Sequence, residues 1–171
     1  MAHSLDLFFD DSAEVEIRAL RRRLDDAGIP GAAEPHERPH VRLALAGTIG
    51  SGTRRALRDE LRMLSIPDLW FYTLGTFPSE SPALLLGAVV DTELLAVHSA
   101  VHDVLAGKVS QPSAYYFPGA WIPHCTLARG LTAQQLTTGF AALGSTSSIR
   151  AATTGMGITD TRTGEVDSLL G

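Results

Sequence analysis

Two histidines sit in the same six-residue pattern, Pro-His-x-x-Leu-Ala, once at Pro39–Ala44 and again at Pro123–Ala128. An imidazole titrates near neutrality, so either protonation state is accessible at cellular pH. A pair of them, one neutral and one protonated, can move two protons in one reaction. The first takes the proton of an attacking hydroxyl or water, and the second donates to the leaving oxygen. That is the equipment for cleaving or forming a phosphodiester, and it needs no metal, because protons serve both nucleophile and leaving group. The charge on the non-bridging oxygens must also be stabilised. Thr126 and Arg42, each two residues after a histidine, are the candidates to bind them.

The spacing requires strands to position these groups. In a strand, residues i and i+2 share a face. His124 therefore projects with Thr126 and His40 with Arg42, while Cys125 and Val41 point the other way. A nucleophilic role for Cys125 is not expected from that placement. Each copy of the pattern is followed by glycine, a capped helix and another strand. A duplicated half-domain is the economical explanation, and it places both histidines at equivalent positions facing one cleft.

The rest of the chain alternates strands and helices. Leu5, Leu7 and Phe9 alternate with Asp6 and Phe8 as a first strand. A helix follows, capped by Asp11 or Ser12, with Ile17, Leu20, Leu24 and Ala27 as its stripe and Gly28-Ile29-Pro30 as its stop. A loop spans 31–37, and a second helix runs from about Thr53 to Leu64. Strands at Leu69–Phe77 and Leu84–Val90 form a hairpin. A third helix is capped by Thr92, a strand covers Trp121–Ala128, and Thr132 with Gln135 makes a capping box for helix four. Ile149–Thr159 and Glu165–Leu170 read as a final hairpin. The expected fold class is α+β, in one domain over 1–171 made of two pseudo-symmetric lobes.

Composition narrows the function classes. A chain of 171 residues with 44% hydrophobic and 19% charged residues suits a folded globular protein. A net charge of −5 argues against bulk, non-specific nucleic-acid binding, which needs many phosphate contacts from Lys and Arg. Lys108 is the only lysine, so the basic side chains are arginines, the better bidentate phosphate ligands. Cys125 is the only cysteine, so no intrachain disulfide forms, which fits a reducing cytoplasm. The start of the chain lacks the pattern of a signal peptide, and the longest apolar runs, such as Ala83–Val90, are too short to span a membrane. A soluble cytoplasmic protein is expected, and no feature singles out an obligate protein partner.

The two tripeptides resemble the paired His-x-Thr/Ser motifs of the two-histidine phosphoesterase superfamily, which includes bacterial 2′-5′ RNA ligases and 2′,3′-cyclic nucleotide phosphodiesterases. The resemblance covers nearly the whole chain, since the order of elements around both motifs matches as well. His124-Cys125-Thr126 fits the second motif fully. His40-Val41-Arg42 departs from the first, with Arg42 where a hydroxyl residue is expected. The resemblance implies a bilobal fold of two antiparallel sheets, with outer helices flanking a central cleft. It also implies hydrolysis of a 2′,3′-cyclic phosphate, or reversible 2′-5′ joining, on RNA termini or small nucleotides. His40 and His124 are then the acid–base pair, and no cofactor is called for.

Arg42 leaves three readings open. It replaces the hydroxyl as a phosphate ligand, since a guanidinium matches phosphate oxygens; it pairs with a nearby carboxylate and narrows the cleft; or it marks a nucleotide- or RNA-end-binding module that has lost turnover. A working site predicts that Arg42→Ser keeps or raises activity. Tyr115, Tyr116 and Phe117 are placed either to stack on a base or to anchor their loop. His98 and His102 have helical zinc spacing but lack the accompanying Glu and a third ligand, so they read as structural. Gly47–Gly52 reads as a turn with a helix cap rather than a phosphate loop. Trp121 reads as core and Arg129 as a solvated arginine near the cleft mouth.

Overall fold

The first strand explains the architecture. In β1 (His3–Phe9), Leu5, Leu7 and Phe9 fill the core, yet Ser4, Asp6 and Phe8 on the other face are buried too. A strand closed on both faces belongs in the middle of a sheet. The computed structural model, which describes residues 2–30 and 37–171, places it there. The loop expected at 31–37 lies, apart from Glu37, outside the described residues.

The first sheet has the order β10 (Val166–Leu170), β9 (Thr153–Asp160), β1, β2 (His40–Ala46). The second has β7 (His124–Ala128), β5 (Leu84–Ala88), β4 (Leu69–Gly75), β8 (Ile149–Ala151). Every pairing in both is antiparallel. The two histidine-bearing strands, β2 and β7, are each an edge strand, and they pack against one another. The cleft opens along this seam. The fold is α+β, two antiparallel sheets flanking a central cleft with helices outside, as the resemblance implied.

Helix α1 (Asp11–Asp26) buries Ala13, Ile17, Leu20, Arg21 and Leu24 and packs with α4 (Ala133–Leu143) over the second sheet. Helices α2 (Ser51–Leu61) and α3 (Thr92–Leu105) pack together over the first. The chain thus crosses between sheets: α1 leaves a strand of the first to cover the second, and α3 does the reverse. Helix α1 ends where glycine was expected to stop it. Gly28 takes φ 77°, and Ile29 N–H returns to the Leu24 carbonyl at 3.0 Å, the 6→1 bond of a Schellman turn. Ala27, expected in the stripe, is the exposed C-cap.

Other boundaries differ for identifiable reasons. The cap of α3 is Asp91, whose carboxylate accepts from Leu94 N–H at 2.8 Å, and not Thr92. The capping box of α4, Thr132 with Gln135, is present as expected. Asp10 precedes α1, but its carboxylate accepts from Ala152 N–H at 3.0 Å while its own N–H donates to Ala152 O at 3.0 Å. That clamp breaks the single strand expected at Ile149–Thr159. It hands β8 to the second sheet and β9 to the first. The β9–β10 hairpin around Arg162-Thr163-Gly164 forms as expected. Within the glycine-rich stretch after β2, Thr48–Ile49 is a short strand, β3, paired with β6 (Val109–Ser110). Strand β7 starts at His124 and not Trp121, whose N–H turns back to Phe117 O at 3.1 Å, while Pro123 O still accepts from Ala88 N–H at 3.0 Å.

Arg21 holds the two sheets in register. It is buried, and its guanidinium donates to Glu37 O at 2.8 Å and to Thr126 O at 3.0 Å. One side chain of α1 therefore ties the lead-in to β2 to the middle of β7. Arg21→Leu is expected to cost about 2–4 kcal/mol in urea unfolding, since two charged hydrogen bonds are lost and two carbonyls lose their donor.

Candidate active-site cleft

The alternation inferred for the two strands holds. In β2, His40 and Arg42 are half-buried on the cleft side while Val41 and Leu43 are fully buried. In β7, His124 and Thr126 face the cleft side and Cys125 is buried opposite, where burial pushes its thiol up to about 11. At that pKa the sulfur is a protonated thiol at neutral pH.

Both histidines are held in the same way. His40 Nδ1 lies 2.9 Å from Arg38 O, and His124 Nδ1 lies 2.7 Å from Ile122 O. In each case a carbonyl two residues upstream accepts the Nδ1–H, which leaves Nε2 to exchange a proton, although that of His40 also faces Arg42 Nη2 at 3.4 Å. A second partner orients each ring: Phe8 stands 6.4 Å from His40, and Phe77 meets His124 edge-on at 4.9 Å. Burial lowers the pKa of His124, the hydrogen bond to Ile122 opposes this, and the positive fields of Arg42 and His40 lower it further. The neutral imidazole is thereby favoured at neutral pH.

A cleft of about 700 Å³ runs along the seam. Its walls include His40, Arg42, Thr126, Tyr116 and Arg129, with the β9–β10 turn, Thr161 to Gly164, as the far rim. His124 stands just outside this lining, one pleat from Thr126 and within the field of His40 and Arg42. Tyr116, on the 3₁₀ turn Ala114–Tyr116, lines the cleft beside Arg42, whereas Tyr115 is 86% exposed and does not line it. Arg129 is exposed at the cleft, as expected of a solvated arginine near its mouth, and there forms a fork with Glu37 at 2.8 and 3.3 Å. Burial works to raise the Glu37 pKa, but the bond and charge of Arg129, with the fields of His40 and Arg21, together lower it.

Arg42 has the carboxylate partner that one of its readings required. Its Nε donates to Asp6 Oδ1 at 3.1 Å, and its Nη2 lies 3.4 Å from His40 Nε2. Asp6 was legible only as an alternate position of the first strand, and no spacing rule links it to Arg42. Behind Arg42 lies an aromatic stack. Trp121 Nε1–H donates to Arg42 O at 2.9 Å, and its ring lies parallel to His98 at 4.0 Å. His98 and His102 each place Nε2 on a backbone carbonyl, Tyr116 O at 2.7 Å and Leu43 O at 3.0 Å. Burial and then His102 depress the His98 pKa to about 4, so it is a neutral core group that supports the cleft wall. Trp121 is core, as expected.

The fold is similar to that of E. coli LigT complexed with 3′-AMP, at TM-score 0.59 and 14% identity over 97% of this chain and 91% of that one. It is also similar to Usb1 of Kluyveromyces marxianus with uridine monophosphate (TM-score 0.57, 12% identity, 99% and 97% covered). A third is the MHV ns2 PDE domain (TM-score 0.55, 16% identity, 77% and 85% covered). No curated protein sequence matches the chain. The model of the 2′-5′ RNA ligase superfamily matches residues 9–165, and the chain belongs to that superfamily. Among the described residues, no helix is long and apolar enough to cross a membrane.

Proposed function

We propose that this protein is a phosphoesterase acting on 2′,3′-cyclic phosphates or 2′-5′ phosphodiester bonds, at RNA termini or on small nucleotides. The observation that carries the reading is the matched pair of Nδ1–carbonyl bonds, which leaves each imidazole its Nε2 for proton exchange. In hydrolysis His124, favoured neutral by burial, takes the proton of the attacking water. His40 gives its proton to the departing ribose oxygen, with the carboxylates of Asp6 and Glu37 each 4.0 Å from its ring. Thr126 and Arg42 bind the non-bridging oxygens, and Tyr116 is the aromatic side chain placed to meet the base. The nucleotides bound in the LigT and Usb1 structures support a nucleotide-sized ligand. The whole chain is proposed to act as one domain of two related lobes, without a cofactor, in the cytoplasm.

A second reading, a binding module without turnover, is favoured by one contact: the Arg42 Nη2 corner occupies the Nε2 side of His40. Incubating the protein with a 2′,3′-cyclic nucleotide and with RNA ending in a cyclic phosphate separates the two. The phosphoesterase reading expects a single ring-opened monophosphate isomer. Nucleotide binding with no product would overturn it in favour of the module.

A further inference from the structure

Asp6 lies at the floor of the cleft with 1% of its surface exposed. Both of its oxygens are engaged: Ser4 Oγ–H donates to Oδ2 at 2.7 Å, and Arg42 Nε–H to Oδ1 at 3.1 Å. Asp6 and Arg42 are cross-strand partners of β1 and β2, so the backbone ladder itself brings them together. A carboxylate withdrawn from water costs several kcal/mol unless a counter-charge compensates it. Arg42 supplies that charge. Burial works against the guanidinium, but Asp6 and Tyr116 together outweigh it and raise the Arg42 pKa.

The compensation runs in both directions. Because Asp6 engages the Nε edge, the guanidinium cannot rotate freely, and its Nη2 corner is directed at His40 Nε2. A phosphate held between the two histidines would meet that corner first. A threonine or serine at position 42 would be too short to reach Asp6 and cleft phosphate together. The departure from a hydroxyl at position 42 is therefore matched by an acid at position 6.

We infer that Asp6 and Arg42 act as one phosphate-orienting unit, in which Asp6 is a positioning residue that aims the Arg42 guanidinium into the cleft. The inference rests on the phosphate-ester reading of the cleft, and it makes Arg42 a compensated substitution rather than a degenerate motif. Asp6 does not touch the substrate. It acts through Arg42, and its removal should separate binding from turnover. Replacing Asp6 with Asn takes an anion from the cleft floor, which favours phosphate binding, but frees the guanidinium from its bearing, which lowers kcat.

The test compares wild type, Asp6→Asn, Arg42→Ser and the double variant, using inorganic phosphate binding by calorimetry and kcat on a 2′,3′-cyclic nucleotide. Asp6→Asn is expected to bind phosphate at least as tightly as wild type while kcat falls about tenfold. Arg42→Ser is expected to weaken phosphate binding at least tenfold, because the unpaired Asp6 then faces the anion. The double variant should regain about tenfold of that affinity, a coupling within the range seen for side chains in contact. A double variant that binds no better than Arg42→Ser, or an Asp6→Asn protein with wild-type kcat, would overturn the unit. Recovery of affinity with no turnover in wild type upholds the unit and sinks the phosphoesterase reading; turnover without recovery does the reverse. Should Arg42→Ser fail to fold, the split between affinity and kcat in Asp6→Asn decides alone.

Discussion

Alanine at either His40 or His124 is expected to lower kcat for a 2′,3′-cyclic nucleotide by about 10²- to 10⁴-fold, the range for loss of a positioned acid or base. Ring opening needs two proton transfers at opposite ends of the reacting phosphorus. Each histidine offers one Nε2 for the purpose, because its Nδ1–H is committed to a carbonyl. Cys125 faces away from the cleft with its thiol pushed up to about 11, and Asp6 is occupied by Ser4 and Arg42. The double variant should be little worse than either single one, since the pair works as a unit. Nucleotide affinity should change much less than kcat.

The pH dependence carries a sign. Burial lowers the His124 pKa, so its neutral, proton-accepting form persists below the ordinary imidazole range near 6.5. The acidic limb of kcat/KM for hydrolysis is therefore expected below that value. His124→Ala should remove this limb, while His40→Ala should leave it in the residual rate. A limb above 6.5 in wild type would reverse the assignment of acid and base.

Arg42→Ser is expected to lose about 10²- to 10³-fold in kcat, the cost of one donor aimed at developing charge. The motif alone argues the opposite, that restoring a hydroxyl keeps or raises turnover. The Asp6 carboxylate reverses that expectation. Without Arg42 a buried anion remains 4.0 Å from His40 Nε2, where it repels the phosphate. Steady-state kinetics at several pH values, with the thermal midpoint as a folding control, decide between the two outcomes. A kcat at or above wild type would make Arg42 dispensable.

Much of the cleft was legible because its signals are local. The period-two alternation of His40-Val41-Arg42 and His124-Cys125-Thr126 assigns faces without any tertiary information. The Thr132/Gln135 box and the Gly28 stop work the same way, since they are hydrogen bonds among near neighbours in the chain. Tyr115 and Tyr116 were indistinguishable by that logic. A 3₁₀ turn points adjacent side chains in different directions, and only its placement against β2 decides that Tyr116 meets Arg42.

By itself, then, the sequence determined the two histidines, the faces they occupy and the α+β order of elements, because strand and helix periodicity act within a few residues. Tertiary structure alone decided the partners: Asp6 for Arg42, Glu37 for Arg129, and Arg21 spanning the two edge strands. It also split the strand at Ala152, where Asp10 clamps the crossover between sheets. These contacts join residues that are distant along the chain. Asp6 and Arg42 set charge beside charge, Arg129 and Glu37 pair at the surface, and Arg21 and Asp10 bind backbone groups, so which groups meet depends on how the two sheets pack.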